Sequence, residues 1–135
     1  MSTPFVAETT FHVRYAETDA QQVVHHANYL VYFEEGRSDY IRQRGRSYAD
    51  FEQQGFFLIV AEAGLRYARA ARYDQRLTIR TWIAEVKSRG LTYQYQVLAA
   101  DTREILVTGF TRHLCITRSG QVTRIPDEWR TWIGS

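Results

Sequence analysis

Between Pro4 and Pro126 the chain contains no proline. Every interior residue therefore keeps its backbone N–H, and long helices and fully paired strands can run through the middle of the sequence. The patterning uses that freedom. Over residues 27–44, Tyr29, Leu30, Phe33, Gly36, Tyr40 and Ile41 recur at 3.6-residue spacing, which predicts an amphipathic helix with one apolar stripe. Gly36 lies on that stripe, where it costs up to ~1 kcal/mol relative to Ala. A close approach to another backbone would justify it. Gly45 stops the helix. Ser47 then caps a short second helix running to about Gln54, which Gly55 ends.

The remaining segments alternate with period two, as strands do. In 8–15, Phe11, Val13 and Tyr15 share one face. Residues 57–69, 76–87, 91–99 and 104–117 supply four more strands, with short turns at Asp101-Thr102 and Ser119-Gly120. Residues 16–26 fit neither period and form a loop feeding the helix. Pro126 suits the first turn of a C-terminal helix whose apolar side is Trp129, Trp132 and Ile133. Short turns favour antiparallel pairing. The expectation is an α+β fold: a curled antiparallel sheet of about five strands wrapped round one long helix, forming a single domain over residues 1–135. Free sheet edges need cover, so a homodimer joining two sheets is the natural completion.

Charge and cysteine usage exclude several function classes. The formal net charge is only +2, with no dense basic run beyond Arg42, Arg44 and Arg46. Nucleic-acid binding normally needs a stronger basic stripe. Cys115 is the one cysteine, so no internal disulfide can form, which fits a reducing, cytoplasmic setting. The N-terminal residues lack the basic and apolar regions of a signal peptide, and no segment approaches the ~20 apolar residues of a membrane span. Metal-ligand spacing, a phosphate-binding glycine loop, a nucleophile elbow and a dinucleotide fingerprint are all missing, so no cofactor is expected.

One constellation carries chemistry. Asp19 stands in the loop just before the predicted helix, and His25 and His26 lie at the helix start. A loop aspartate commonly caps a turn. A carboxylate can also act as a general base or a nucleophile, and a helix N-terminus offers free N–H groups to a developing oxyanion.

The segment Tyr15-Ala-Glu-Thr-Asp19-Ala-Gln-Gln-Val23-Val24-His25-His26-Ala-Asn-Tyr29 resembles the loop and helix start of hotdog-fold acyl-CoA thioesterases, in particular the YbgC-like and 4-hydroxybenzoyl-CoA thioesterase group. The likeness continues through Phe33-Glu34, Arg37 and Val60 to Asp74, and spans about residues 8 to 118. It implies hydrolysis of a short-chain or aromatic acyl-CoA, with Asp19 as base or nucleophile and the backbone N–H of His26 polarising the thioester carbonyl. It also implies CoA contacts at Lys87, Ser88 and Arg89, an acyl-pocket role for Tyr29, and self-association as a homodimer or homotetramer. Arg66, Arg69 and Arg72 are weaker candidates for phosphate contacts. Glu34 and Arg37, at i and i+3, are read as a structural pair. One departure stands out: Gln22 occupies the place where the family usually has Gly, which points to a loop of altered shape or a smaller acyl pocket. Two other readings use the same residues. A hotdog hydratase or dehydratase could pair Asp19 with His25, and a non-catalytic protein could simply bind acyl-CoA.

Overall fold

The computed structural model describes residues 4–134. The elements run β1 (Ala7–His12), α1 (Asn28–Gln43), α2 (Tyr48–Gln53), β2 (Phe56–Tyr67), β3 (Arg76–Val86), β4 (Gly90–Ala99), β5 (Ile105–Thr117) and α3 (Asp127–Gly134). The strands form one sheet in the order β1-β3-β4-β5-β2, with every neighbouring pair antiparallel.

The expected curled sheet round one long helix does not form. The sheet is open: β1 and β2 are its two edges and do not pair with each other. Closure into a barrel requires those edges to hydrogen-bond, and here β1 spends its six residues on β3. The helical residues are divided among α1, α2 and α3. Even α1, at 16 residues or about 24 Å, lies across one face of the sheet over β1, β3 and β4 without being enclosed. It stops at Gln43 because Arg44 and Gly45 leave helical geometry, Gly45 with φ +89°.

The core sits between α1 and the sheet. The buried stripe of α1 is Tyr29, Tyr32, Phe33, Gly36, Tyr40 and Ile41. Tyr32 takes the place expected for Leu30, which is exposed, because positions 29, 32, 33 and 36 follow the 3.6-residue period more closely. Phe33 stacks flat on Tyr95, with centroids 4.1 Å apart. The missing side chain of Gly109 makes room for it, since a Cβ there would stand 2.6 Å from the Phe33 ring. Gly36 is explained by a similar approach, to side chains rather than backbone: its Cβ would lie 2.5 Å from Thr81 Oγ1.

At the far end, Ser47 Oγ accepts from the Asp50 N–H and caps α2, as expected. Arg44 donates to the carbonyls of Trp132 and Ile133 and stacks on the Trp132 ring, which satisfies the C-terminal carbonyls of α3 and pins that helix to the end of α1. No helix among the described residues is long and apolar enough to cross a membrane.

Strand β1 ends at His12, three residues short of expectation. Val13 is buried, but Tyr15 is 71% exposed and its ring leans edge-on against Tyr73. Alternation breaks there because Tyr15–Glu17 form a 3-10 turn that swings the chain from the sheet toward the start of α1.

Candidate active site

The segment from Thr18 to Val24 is a compact loop held from both sides. Thr18 and Val24 form an antiparallel bridge, and Val23 bridges Arg72. Within the loop the Asp19 N–H donates to Val23 O and the Gln22 N–H to Asp19 O, both at 2.9 Å. On the outer side, Val24 N–H donates to Ala71 O and Tyr73 N–H to Gln22 O. Gln22 has φ +64°. This is the left-handed conformation that glycine adopts without steric cost. The loop therefore keeps a glycine-like turn although glutamine fills the position, and the expected change of backbone shape is not needed to accommodate it.

Asp19 is exposed, and its Oδ1 accepts from the Gln21 N–H at 2.8 Å. This Asx-type turn fixes one carboxylate oxygen. The other oxygen has no hydrogen-bond partner among the described residues.

The start of α1 follows. His25 N–H donates to Glu17 O, and the His25 ring accepts from the Ala27 N–H through Nδ1 at 3.2 Å, taking over the cap that Ala27 cannot provide. The His25 and His26 rings stack with centroids 4.2 Å apart. His26 is exposed, and its carbonyl accepts from Tyr67 Oη–H at 3.1 Å. Among the described residues no group accepts from the His26 N–H. Asp19 and His26 thus stand on either side of the Thr18–Val24 bridge, the first with one carboxylate oxygen unengaged and the second, just before the N-cap of α1, with its N–H unengaged.

Tyr29 is buried at 2% exposure. Its hydroxyl accepts from the Ala71 N–H, and its ring meets Tyr32 and Tyr67 edge-on. Lys87, Ser88 and Arg89 form the exposed β3–β4 turn, where Lys87 Nζ lies 3.5 Å from Glu85. That turn is at the opposite end of the sheet. The Asp19 loop sits on 71–73, just before Arg76 opens β3, whereas Lys87 follows the last residue of that strand. Eleven residues of strand, roughly 35 Å, separate the two.

Glu34 and Arg37 do not pair. Arg37 is half-buried, and its charge acts on the Tyr95 hydroxyl and the His113 ring. Tyr95 Oη and Thr111 Oγ1 lie 2.6 Å apart, and Thr111 Oγ1 meets His113 Nε2 at 2.8 Å. Burial, with the Arg37 charge adding to it, pushes the His113 imidazole down to about 4, so it is neutral at pH 7.

The sequence reading missed Glu17, which is only 7% exposed. Its carboxylate accepts from the Arg14 N–H and from Tyr32 Oη–H, both at 2.9 Å, and from the Arg14 guanidinium. Burial pushes this carboxyl up, yet those donors outweigh it and hold it below the usual carboxylate range. The available signal was Arg14 three residues before Glu17, with a tyrosine on the buried face of α1.

The family model for the thioesterase-like superfamily matches residues 13–133. The chain belongs to this superfamily. It is a hotdog-fold, thioesterase-like protein related to the YbgC acyl-CoA thioesterases, and as an enzyme it falls in the thioester hydrolase class. The Bacillus subtilis protein YneP, provisionally named an acyl-CoA thioesterase, is 29% identical over 130 residues, 93% of this chain and 94% of its own. A hypothetical protein of Thermus thermophilus has a solved structure that is 38% identical, with TM-score 0.88 and coverage of 94% and 96% of the two chains. The DHNA-CoA thioesterase of Staphylococcus aureus is 30% identical, with TM-score 0.88 and coverage of 96% and 89%.

Proposed function

We propose that residues 1–135 act as one thioesterase domain that hydrolyses a short-chain or aromatic acyl-CoA at the mouth formed by the Asp19 loop and the start of α1. The observation that carries this reading is that one short loop, closed by the Thr18–Val24 bridge, is flanked by an exposed Asp19 carboxylate tied by one oxygen only and by an unengaged His26 N–H just before α1. The His26 N–H binds the thioester carbonyl oxygen and stabilises the charge that develops on it. Asp19 either takes a proton from the attacking water or itself attacks the carbonyl carbon. The C–S bond then breaks and CoA leaves as its thiol: on the base route the sulfur takes the proton that Asp19 removed from water, and on the nucleophilic route water hydrolyses the acyl-Asp19 anhydride, restoring the carboxylate and supplying the proton. An aromatic acyl group is favoured by the likeness to the DHNA-CoA thioesterase.

CoA contacts from Lys87, Ser88 and Arg89 require a second copy of the chain. Strand β2 is a free edge with Ile59 and Val60 exposed. Antiparallel pairing of two β2 edges about a two-fold axis sets the Phe56 end of one beside the Tyr67 end of the other. Tyr67 touches His26, and the Lys87–Arg89 turn lies at the Phe56 end, where the Arg89 carbonyl accepts from the Cys115 N–H. The second copy's turn then faces this chain's Asp19 mouth, so the dimer completes the site. A tetramer built from two such dimers keeps the same site.

Thiol release measured across acetyl-, hexanoyl- and benzoyl-CoA tests the reading. Turnover of at least one, with 2-enoyl-CoA left unhydrated, is the expected result. Tight binding of all of them without thiol release would favour a non-catalytic binder instead.

A further inference from the structure

Glu17 bonds through both its side chain and its backbone carbonyl, and the two ends tie the entry of the Asp19 loop to the residues that flank His26. Its side chain ties the chain entering the Asp19 loop to α1, through Tyr32 Oη–H and through the Arg14 N–H and guanidinium. Its backbone carbonyl accepts from the His25 N–H at 2.9 Å and from Asn28 Nδ2 at 3.0 Å, and so holds the residues on both sides of His26. Thr18, the next residue, then bridges Val24 and closes the loop. A carboxylate this buried would be costly if it served only as a surface charge. The Arg14 side chain that faces it is 75% exposed, so the ion pair itself contributes little to stability. What the carboxylate does achieve is registration. Tyr32 is on the second turn of α1, and its bond to Glu17 fixes how far the loop stands from the helix start.

We propose that Glu17 is a positioning residue for thioester hydrolysis, holding the Asp19 carboxylate in register with the His26 N–H through its bonds to Tyr32, Arg14, His25 and Asn28. The inference rests on the thioesterase reading of Asp19 and His26. It adds a residue that touches neither substrate nor reacting atoms. Misplacing a reacting group by about 1 Å can cost on the order of 100-fold in rate while leaving binding intact. The signature is therefore a loss in kcat with KM unchanged.

The test compares Glu17→Gln and Glu17→Ala in the full chain. Gln keeps an oxygen for Tyr32 and the Arg14 N–H but loses the bond to the guanidinium, whereas Ala loses every side-chain bond. Thiol release from acetyl-, hexanoyl- and benzoyl-CoA is measured with amide hydrogen exchange at Asp19, Gln21 and His25, each of whose N–H groups is hydrogen-bonded in the loop. The expected result is a kcat loss of roughly 30-fold for Ala and about 3-fold for Gln, with KM within about twofold. Exchange should be faster at the three amides and unchanged in β4. A loss confined to KM, or exchange at those amides equal to wild type in a folded variant, overturns the proposal. If wild type releases no thiol from any of the three substrates, the thioesterase reading fails. The exchange measurement then decides separately whether Glu17 holds the loop in register.

Discussion

Gln22 adopts φ +64° in the middle of the candidate catalytic loop, and its removal has a calculable effect. A non-glycine residue in the left-handed region carries a penalty of roughly 1–2 kcal/mol. Glycine removes that penalty but gains freedom in the unfolded chain worth roughly 0.5–1 kcal/mol. The Gln22 side chain is exposed, and the residue's hydrogen bonds run through its backbone, so little else is lost. Gln22→Gly should therefore stabilise by about 0.5–1 kcal/mol. With an unfolding entropy of ~2.1 cal/mol/K per residue, the 135 residues give about 0.28 kcal/mol/K, and Tm should rise by about 2–4 °C. Asp74 provides the control, because it has the same φ of 64°. Aspartate tolerates this region better than glutamine does, so Asp74→Gly should raise Tm by less. Differential scanning calorimetry reads both variants. An unchanged or lower Tm for Gln22→Gly, or a larger gain for Asp74→Gly, would refute the argument that Gln22 strains a glycine-type turn.

Two further predictions concern the core. The folded-state value of about 4 for His113 lies below the ordinary 6.5, so the unfolded chain binds the proton more readily between those values. Stability from this group is complete above pH 6.5 and falls by about 3 kcal/mol as the pH drops through that window. Urea unfolding at pH 7, 5.5 and 4.5 should show the decline, and His113→Asn should flatten it; an equal slope in the variant would exclude His113 as its source. Gly36→Ala gains ~1 kcal/mol of helix propensity but drives a Cβ to 2.5 Å from Thr81 Oγ1 and 3.1 Å from Ile79 Cγ2. Overpacking of that kind costs about 1–3 kcal/mol, so thermal melting should show a net loss, and a higher Tm would contradict the packing argument.

The elements with strong periodicity were legible from sequence. The α1 stripe, the clean alternation of β4 and the Ser47 cap each depend on residues close together in the chain. The sheet's open form was not legible, because whether β1 meets β2 depends on strand order and twist, and the sequence pattern of β1 reports neither. Tyr15 misled because an aromatic in phase with Phe11 and Val13 reads as strand, while its ring in fact packs on Tyr73 at the surface. At the candidate site, Asp19 and His26 stood out by resemblance. Glu17 did not, since a loop glutamate beside an arginine looks like a solvated charge until Tyr32 arrives from α1. Gln22 looked like a change of loop shape, whereas the surrounding bonds from Asp19, Val23 and Tyr73 hold the backbone in the turn regardless of its side chain. The separation of Lys87–Arg89 from Asp19 became visible only with the strands in place.

Asp19→Asn asks whether the Asp19 carboxylate takes part in the chemistry. Asparagine keeps an oxygen to accept from the Gln21 N–H, so the turn survives. It can neither take a proton from water nor attack as a carboxylate. Steady-state thiol release from the best acyl-CoA substrate should fall by about 100-fold or more, with Tm within about 2 °C of wild type. Turnover at the wild-type rate in a variant of unchanged Tm would exclude the Asp19 carboxylate from the reaction.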